Sequence, residues 1–193
     1  MSHSKGPRIE MLDIDASKAA AAEASIPEAF AELSVFRVLL HHPELSKAIT
    51  GLLTTLLFRG SFDARLRELV IMRIAWVTGS CYEWTQHWRV AVQLGVSEPD
   101  LLSVRDWKNA RDLGDAERAV LAATDDTLEL GRIRAETWSA LEKHLSDRKE
   151  RLELIACIGN WRLFSQLLES LEIPLEDGVE AWPPDGVPSP AAS

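Results

Sequence analysis

Apolar residues along this chain recur at spacings of three and four and hardly ever alternate, and short polar or Gly/Pro breaks interrupt them. That periodicity predicts helices joined by tight turns and almost no strand. After Pro27 a first stripe runs through Phe30, Leu33, Val35, Phe36, Leu39 and Leu40, and Pro43 stops it after His41 and His42. A second spans Leu45 to Phe58 and closes at Arg59-Gly60. Ser61 or Asp63 is placed to cap a third helix running to Thr78, with Gly79 as the break. Ser80 then opens a fourth that ends at Gly95.

Ser97-Glu98-Pro99-Asp100 reads as the start of a short helix through Leu102. Helices are expected over Ala116–Leu130 and Thr137–Leu145, and a long one over Asp147–Leu171. The last has Leu152, Leu154, Ile155, Ile158, Leu163, Phe164, Leu167 and Leu168 as its inward set. Residues 1–26 read as an N-terminal extension, 27–173 as a single domain, and 174–193 as a Pro-rich tail with Trp182 as a candidate cover for a neighbouring copy. The fold class is all-α.

Composition narrows the partners. A net charge of −9 and the lack of a basic block argue against a phosphate backbone, so no nucleic acid is expected. No apolar run reaches the length of a membrane span, and the N-terminus has no hydrophobic signal core, which makes a cytoplasmic location the default. Seven Trp against one Tyr suggest indoles that line a pocket or a subunit interface.

The chemistry-bearing stretch is Gly79-Ser80-Cys81-Tyr82-Glu83-Trp84-Thr85-Gln86-His87. On a helix Ser80, Glu83 and His87 share one face, and a hairpin about Gly79 brings Glu68 back towards them. Two carboxylates beside one imidazole push their pKa values apart and supply an acid and a base near neutrality. The plain alternative is a solvated Glu83–His87 pair, with Glu68 in a salt bridge to Arg65, Arg67 or Arg73. Tyr82 is suited to orient a substrate oxygen or to pack. Trp84 and Trp88 suit core and pocket wall equally. A dinuclear carboxylate site wants Glu-x-x-His on two helices, whereas Glu-x-x-x-His occurs here, so no metal is expected. Cys81, near a helix start, reads as small apolar filler, and Cys157 reads as core.

Arg65-Leu66-Arg67-Glu68-Leu69-Val70-Ile71-Met72-Arg73, then Tyr82 through His87, then Ala91-Val92-Gln93-Leu94-Gly95-Val96-Ser97 resembles the carboxymuconolactone decarboxylase family, which includes the AhpD-type alkylhydroperoxidases. The resemblance covers Phe58 to Leu102 and runs more loosely through Asp126, Trp138 and the final helix. It implies an AhpD-like bundle of helix hairpins that assembles as a trimer or hexamer. Peroxidase members carry a Glu, twelve residues later Cys-x-x-Cys, and a His four residues after the second Cys. Laid on this chain, the pattern puts Glu68 on the Glu, Ser80 and Glu83 on the two cysteines, and His87 on the His. Both redox thiols are replaced, so dithiol peroxide reduction lacks its attacking and resolving groups.

Decarboxylation of a small lactone fits the surviving groups better and requires no cofactor. On that reading His87 transfers the proton, Glu83 orients it, Glu68 relays, and Ser80 or Tyr82 donates to the lactone oxygen. Trp84 adds pocket wall, and Arg73 or Arg89 holds a substrate carboxylate. The alternatives are an AhpD-like peroxidase and a noncatalytic oligomer that binds a small organic acid or lactone.

Overall fold

The computed structural model describes residues 6–192, and the described residues fold into ten α-helices and one short 3-10 turn, with no strand among them. The helices are α1 (Ile14–Glu23), α2 (Glu28–Ala31), α3 (Ser34–Leu39), α4 (Pro43–Phe58), α5 (Ala64–Thr78), α6 (Cys81–Gln93), α7 (Glu98–Ser103), α8 (Asp115–Leu130), α9 (Ala135–His144) and α10 (Arg148–Leu171). The 3-10 turn spans Val104–Asp106.

The bundle is organised around α5. Leu69, Val70, Ile71, Met72, Ile74 and Ala75 are wholly buried, because α6, α8 and α10 pack on different sides of this helix. A helix that is apolar nearly all round belongs at the centre of its domain. Asp63 caps its start by accepting from the Leu66 N–H. At its other end Gly79 adopts a left-handed φ of 75°, and the Ser80 N–H bonds back to the Ala75 carbonyl. Only glycine reaches that conformation without strain. The chain therefore reverses sharply, and α6 returns antiparallel beside α5.

Three expectations change. The predicted helix after Pro27 is two short ones, because the Ser34 N–H bonds to Glu176 Oε1 at 2.8 Å and Leu33 is extended. The extension contains α1, capped by Asp13; its small, weakly amphipathic surface hides it from a periodicity reading. Of its first five residues nothing is described. On α10, Leu154, Ile158, Phe164 and Leu168 are buried as predicted, but Leu152, Ile155 and Leu163 form a separate exposed stripe. They lie on a different face of the same 3.6-residue period.

The tail from Pro174 packs on its own chain. Trp182 is buried against Trp76 and Trp84, the Trp84 indole N–H donates to the Pro183 carbonyl, and the Ser189 hydroxyl donates to the Trp76 carbonyl. Arg105 lies over the rings of Trp76 and Trp84 and forks onto Asp185. A Cβ on Gly79 would come within 2.5 Å of the Ala191 carbonyl oxygen, so glycine at this turn also makes room for the tail.

Arg73 is structural rather than substrate-binding. Its guanidinium forks onto Asp125 at 2.7 and 3.0 Å and donates to the Val104 carbonyl, while the Trp107 indole N–H completes Asp125. Breaking such a low-exposure pair leaves a charge unmatched. Arg73→Ala is expected to lower the unfolding free energy by about 3 kcal/mol in urea titration.

Candidate active site

The α5–α6 hairpin sets the geometry. Glu68 and His87 each lie about 12–16 Å along their helix from the Gly79 turn, so antiparallel packing brings them level. The His87 Nδ1 is 2.7 Å from Glu68 Oε2, and its Nε2 is 3.6 Å from Glu83 Oε2. Glu68 Oε1 also accepts from the Arg67 Nε–H at 3.1 Å and lies 3.1 Å from Nη2 as an ion pair, the salt bridge to Arg67 that the sequence allowed. Glu68 has no solvent exposure, and Arg67 is nearly as buried, with Nη1 on the Leu57 carbonyl.

The second imidazole nitrogen has a partner from α10. The Trp161 indole N–H donates to His87 Nε2 at 2.8 Å. An indole nitrogen only donates, so Nε2 carries the lone pair and Nδ1 carries the hydrogen that Glu68 accepts. The neutral tautomer is thus fixed from both sides. Burial opposes a charge on His87, but the Glu68 carboxylate, through its charge and hydrogen bond, outweighs burial and raises the imidazole's pKa. Protonating Nε2 requires the indole to swing away.

Glu83 is the poised group. Burial pushes its carboxyl up to about 7, with His87 opposing the rise and the Glu68 charge adding to it. Its carboxylate borders a cavity of about 150 Å³ whose other walls include Phe30, Leu33, Phe36, Leu53, Leu57 and Phe164. Apolar cavities of that size accept a benzene-sized ring. Tyr82, Gln86, His87 and Trp161 complete its polar end.

The tail braces two residues of this end from outside the cavity lining. Glu176 accepts from the Tyr82 hydroxyl, the Gln86 amide and the Ser34 N–H. Burial, reinforced by the Glu176 charge, holds the Tyr82 phenol protonated well above its usual range. A buried phenol donating to a carboxylate keeps its proton.

The structure thus brings Glu68, Glu83, His87 and Tyr82 together and leaves the other candidates outside. Ser80 is the extended N-cap residue of α6 rather than part of its helical stripe; its hydroxyl is buried outside the cavity lining. Trp84 is wholly buried in the indole cluster with Trp76, Trp88 and Trp182. Arg73 is held by Asp125, and Arg89 is exposed on α6 away from the lining. Burial pushes the thiols of Cys81 and Cys157 up, away from the thiolate a nucleophile needs. Among the described residues no three His, Cys, Asp or Glu side chains are arranged to hold a metal ion. No helix among them is long and apolar enough to cross a membrane.

Trp161, Gln86 and Glu176 were not legible as site residues. Trp161 stands among the inward residues of α10, and a Trp whose N–H needs a buried acceptor was the available signal.

The fold is an all-α bundle with the antiparallel helix packing of the AhpD-like fold. Residues 43–126 match the model of the Carboxymuconolactone decarboxylase family, so the resemblance is borne out over that segment. None of the curated proteins compared matches the chain. Among solved structures, the fold is similar to that of an uncharacterized peroxidase-related protein from Ralstonia eutropha JMP134 with an alkylhydroperoxidase AhpD core. The TM-score is 0.73 at 15% identity, covering 91% of this chain and 95% of that one. A peroxidase-related protein from Silicibacter sp. TM1040 also scores 0.73, at 12% identity, covering 93% and 97%. The debrominase Bmp8, in a cysteine-to-alanine variant bound to 2,3,4-tribromopyrrole, scores 0.69 at 15% identity, covering 92% and 94%. At these identities the likeness is one of fold.

Two outcomes follow from the hydrogen bonds. Trp161→Phe removes the donor on Nε2, so the His87 midpoint followed by imidazole NMR is expected to move to higher pH. Glu83 binds its proton more tightly folded than unfolded, so between about pH 4.5 and 7 the native state holds the extra proton and stability falls as pH rises. From this group alone the loss is about 3 kcal/mol. Glu83→Gln is therefore expected to be more stable than the parent at pH 8 and to lose that advantage near pH 4.5, read by urea midpoints.

Proposed function

We propose that this chain is a cofactor-free acid–base enzyme that acts on a small lactone or related ring compound in the cavity beside Glu83. The observation that carries the reading is a carboxyl group poised near neutral pH, free of any strong hydrogen bond, on the wall of a ring-sized apolar cavity. General acid–base catalysis is most effective when the catalytic pKa lies near the working pH.

Glu83 is the catalytic residue of this reading, because it alone of the two carboxylates faces the cavity. Loss of a proton or of CO2 from the carbon next to a lactone carbonyl leaves the same delocalised anion. Glu83 then returns a proton to the ring carbon. The spare amide hydrogen of Gln86, whose partner hydrogen is held by Glu176, is the donor for the developing oxyanion, and the Tyr82 hydroxyl hydrogen stays committed to Glu176. His87, oriented by Glu68 and Trp161, is a positioning and relay residue: its charge state sets how readily Glu83 gives up its proton. Which group leaves depends on whether the cavity accepts a charged substrate.

The AhpD-like solved structures favour a second reading, thiol-based peroxide reduction. Against it stand Ser80 and Glu83 at the thiol positions and the raised pKa of Cys81. The noncatalytic reading predicts binding without turnover. The homo-oligomer remains part of the proposal, and the exposed Leu152, Ile155 and Leu163 stripe is the face that suits it.

The test is turnover by metal-stripped protein against muconolactones with and without the carboxyl group, read by ring absorbance, CO2 release and deuterium uptake from heavy water. Glu83→Gln is expected to lower the rate by about 10²–10⁴-fold, and His87→Ala to lower it while shifting the pH profile. Turnover unchanged in Glu83→Gln would remove the reading, and peroxide consumption coupled to Cys81 oxidation would favour its rival.

A further inference from the structure

The cavity wall carries no permanent cation. Its lining is Phe, Leu, Val and Trp with Tyr82, Gln86, Glu83 and His87, and no Lys or Arg is among these residues. The charges that surround the polar end are carboxylates. Glu83 borders the cavity, Glu68 stands behind His87, and Glu176 holds the Tyr82 hydroxyl and the Gln86 amide. The nearest guanidinium, Arg67, is nearly buried and already committed to Glu68 and the Leu57 carbonyl. The two arginines that a carboxylated substrate would call upon, Arg73 and Arg89, lie elsewhere.

From this wall chemistry, and resting on the acid–base reading above, we infer that the site selects an uncharged, ring-sized apolar molecule and rejects its carboxylate. A carboxylate entering the cavity leaves its hydration shell, meets no Lys or Arg, finds the imidazole of His87 already paired with Glu68, and shares the cavity wall with the Glu83 carboxylate. An uncharged ring loses nothing comparable and gains apolar contact along Phe30, Leu53, Leu57 and Phe164. The leaving group in the reaction is accordingly a proton rather than CO2. Glu83 takes a hydrogen from the ring carbon beside the carbonyl and the electron pair moves to the carbonyl oxygen. The protonated Glu83 carboxyl, free to exchange with solvent between the two steps, then delivers a proton to a conjugated carbon as the carbonyl re-forms. No oxidant, reductant or second substrate is consumed.

Isosteric probe pairs test the inference directly. Binding of furan-2-carboxamide against furan-2-carboxylate, and of benzamide against benzoate, is measured by calorimetry on the full-length protein at about pH 8. Each amide is expected to bind at least roughly tenfold more tightly than its carboxylate, the order of effect of one unmatched charge at protein-like screening. Glu83→Gln is expected to shrink that ratio. Equal or tighter binding of the carboxylates, or no binding by either amide, would overturn the inference. Deuterium uptake into a neutral butenolide separates it from the parent reading. Amide selectivity without ring exchange sinks the acid–base chemistry alone, and ring exchange with carboxylates preferred sinks the charge selection alone.

Discussion

A carboxylate sits inside the central helix of this protein, out of reach of water, and the site depends on how that charge is matched. Taking Glu68 out of solvent costs several kcal/mol unless both its oxygens are satisfied. Arg67 satisfies one, from the neighbouring position on α5, and the imidazole of His87 satisfies the other, from α6. The hydrogen bond to His87 ties the two arms of the hairpin at the level of the cavity. It also fixes which imidazole nitrogen holds the hydrogen. The fold and the chemistry therefore share one bond.

That arrangement leaves Glu83 without a matching charge of its own. The histidine it faces lies 3.6 Å away and is already engaged on both nitrogens, so its opposing influence does not offset burial, which holds the carboxyl between its two protonation states. Such a group is a cost to the native state above neutral pH, and active sites commonly retain costs of this kind. Aliphatic and aromatic residues from α2, α3, α4 and α10 maintain it by giving the cavity beside it an apolar wall.

The parts that were legible in the sequence are those fixed by local rules. Gly79 and Asp63 mark the ends of α5, and the step from Glu68 to His87 across the turn follows from helix rise alone. What was hidden depends on distant partners. Arg73 looked available until Asp125, fifty-two positions on, was seen to hold it. Trp161 reaches His87 across seventy-four positions, and Glu176 reaches Tyr82 across ninety-four, distances over which periodicity says nothing. Ser80 failed for a subtler reason. A residue that caps a helix has an extended backbone, so the helical wheel that places Glu83 and His87 does not apply to it.

The tail's docking has a consequence for the order of events during synthesis. Residues 174–192 pack on a hairpin that left the ribosome about a hundred residues earlier, roughly ten seconds at typical elongation rates. For that interval the α5–α6 hairpin and its hydrogen-bonded histidine can already exist, while Tyr82 and Gln86 wait for a carboxylate and the indoles of Trp76 and Trp84 wait for Trp182. The nascent hairpin thus holds its Glu68–His87 bond before Glu176 arrives to take the Tyr82 and Gln86 hydrogens, so the proton-bearing pair predates the contacts that fix the neighbouring donors.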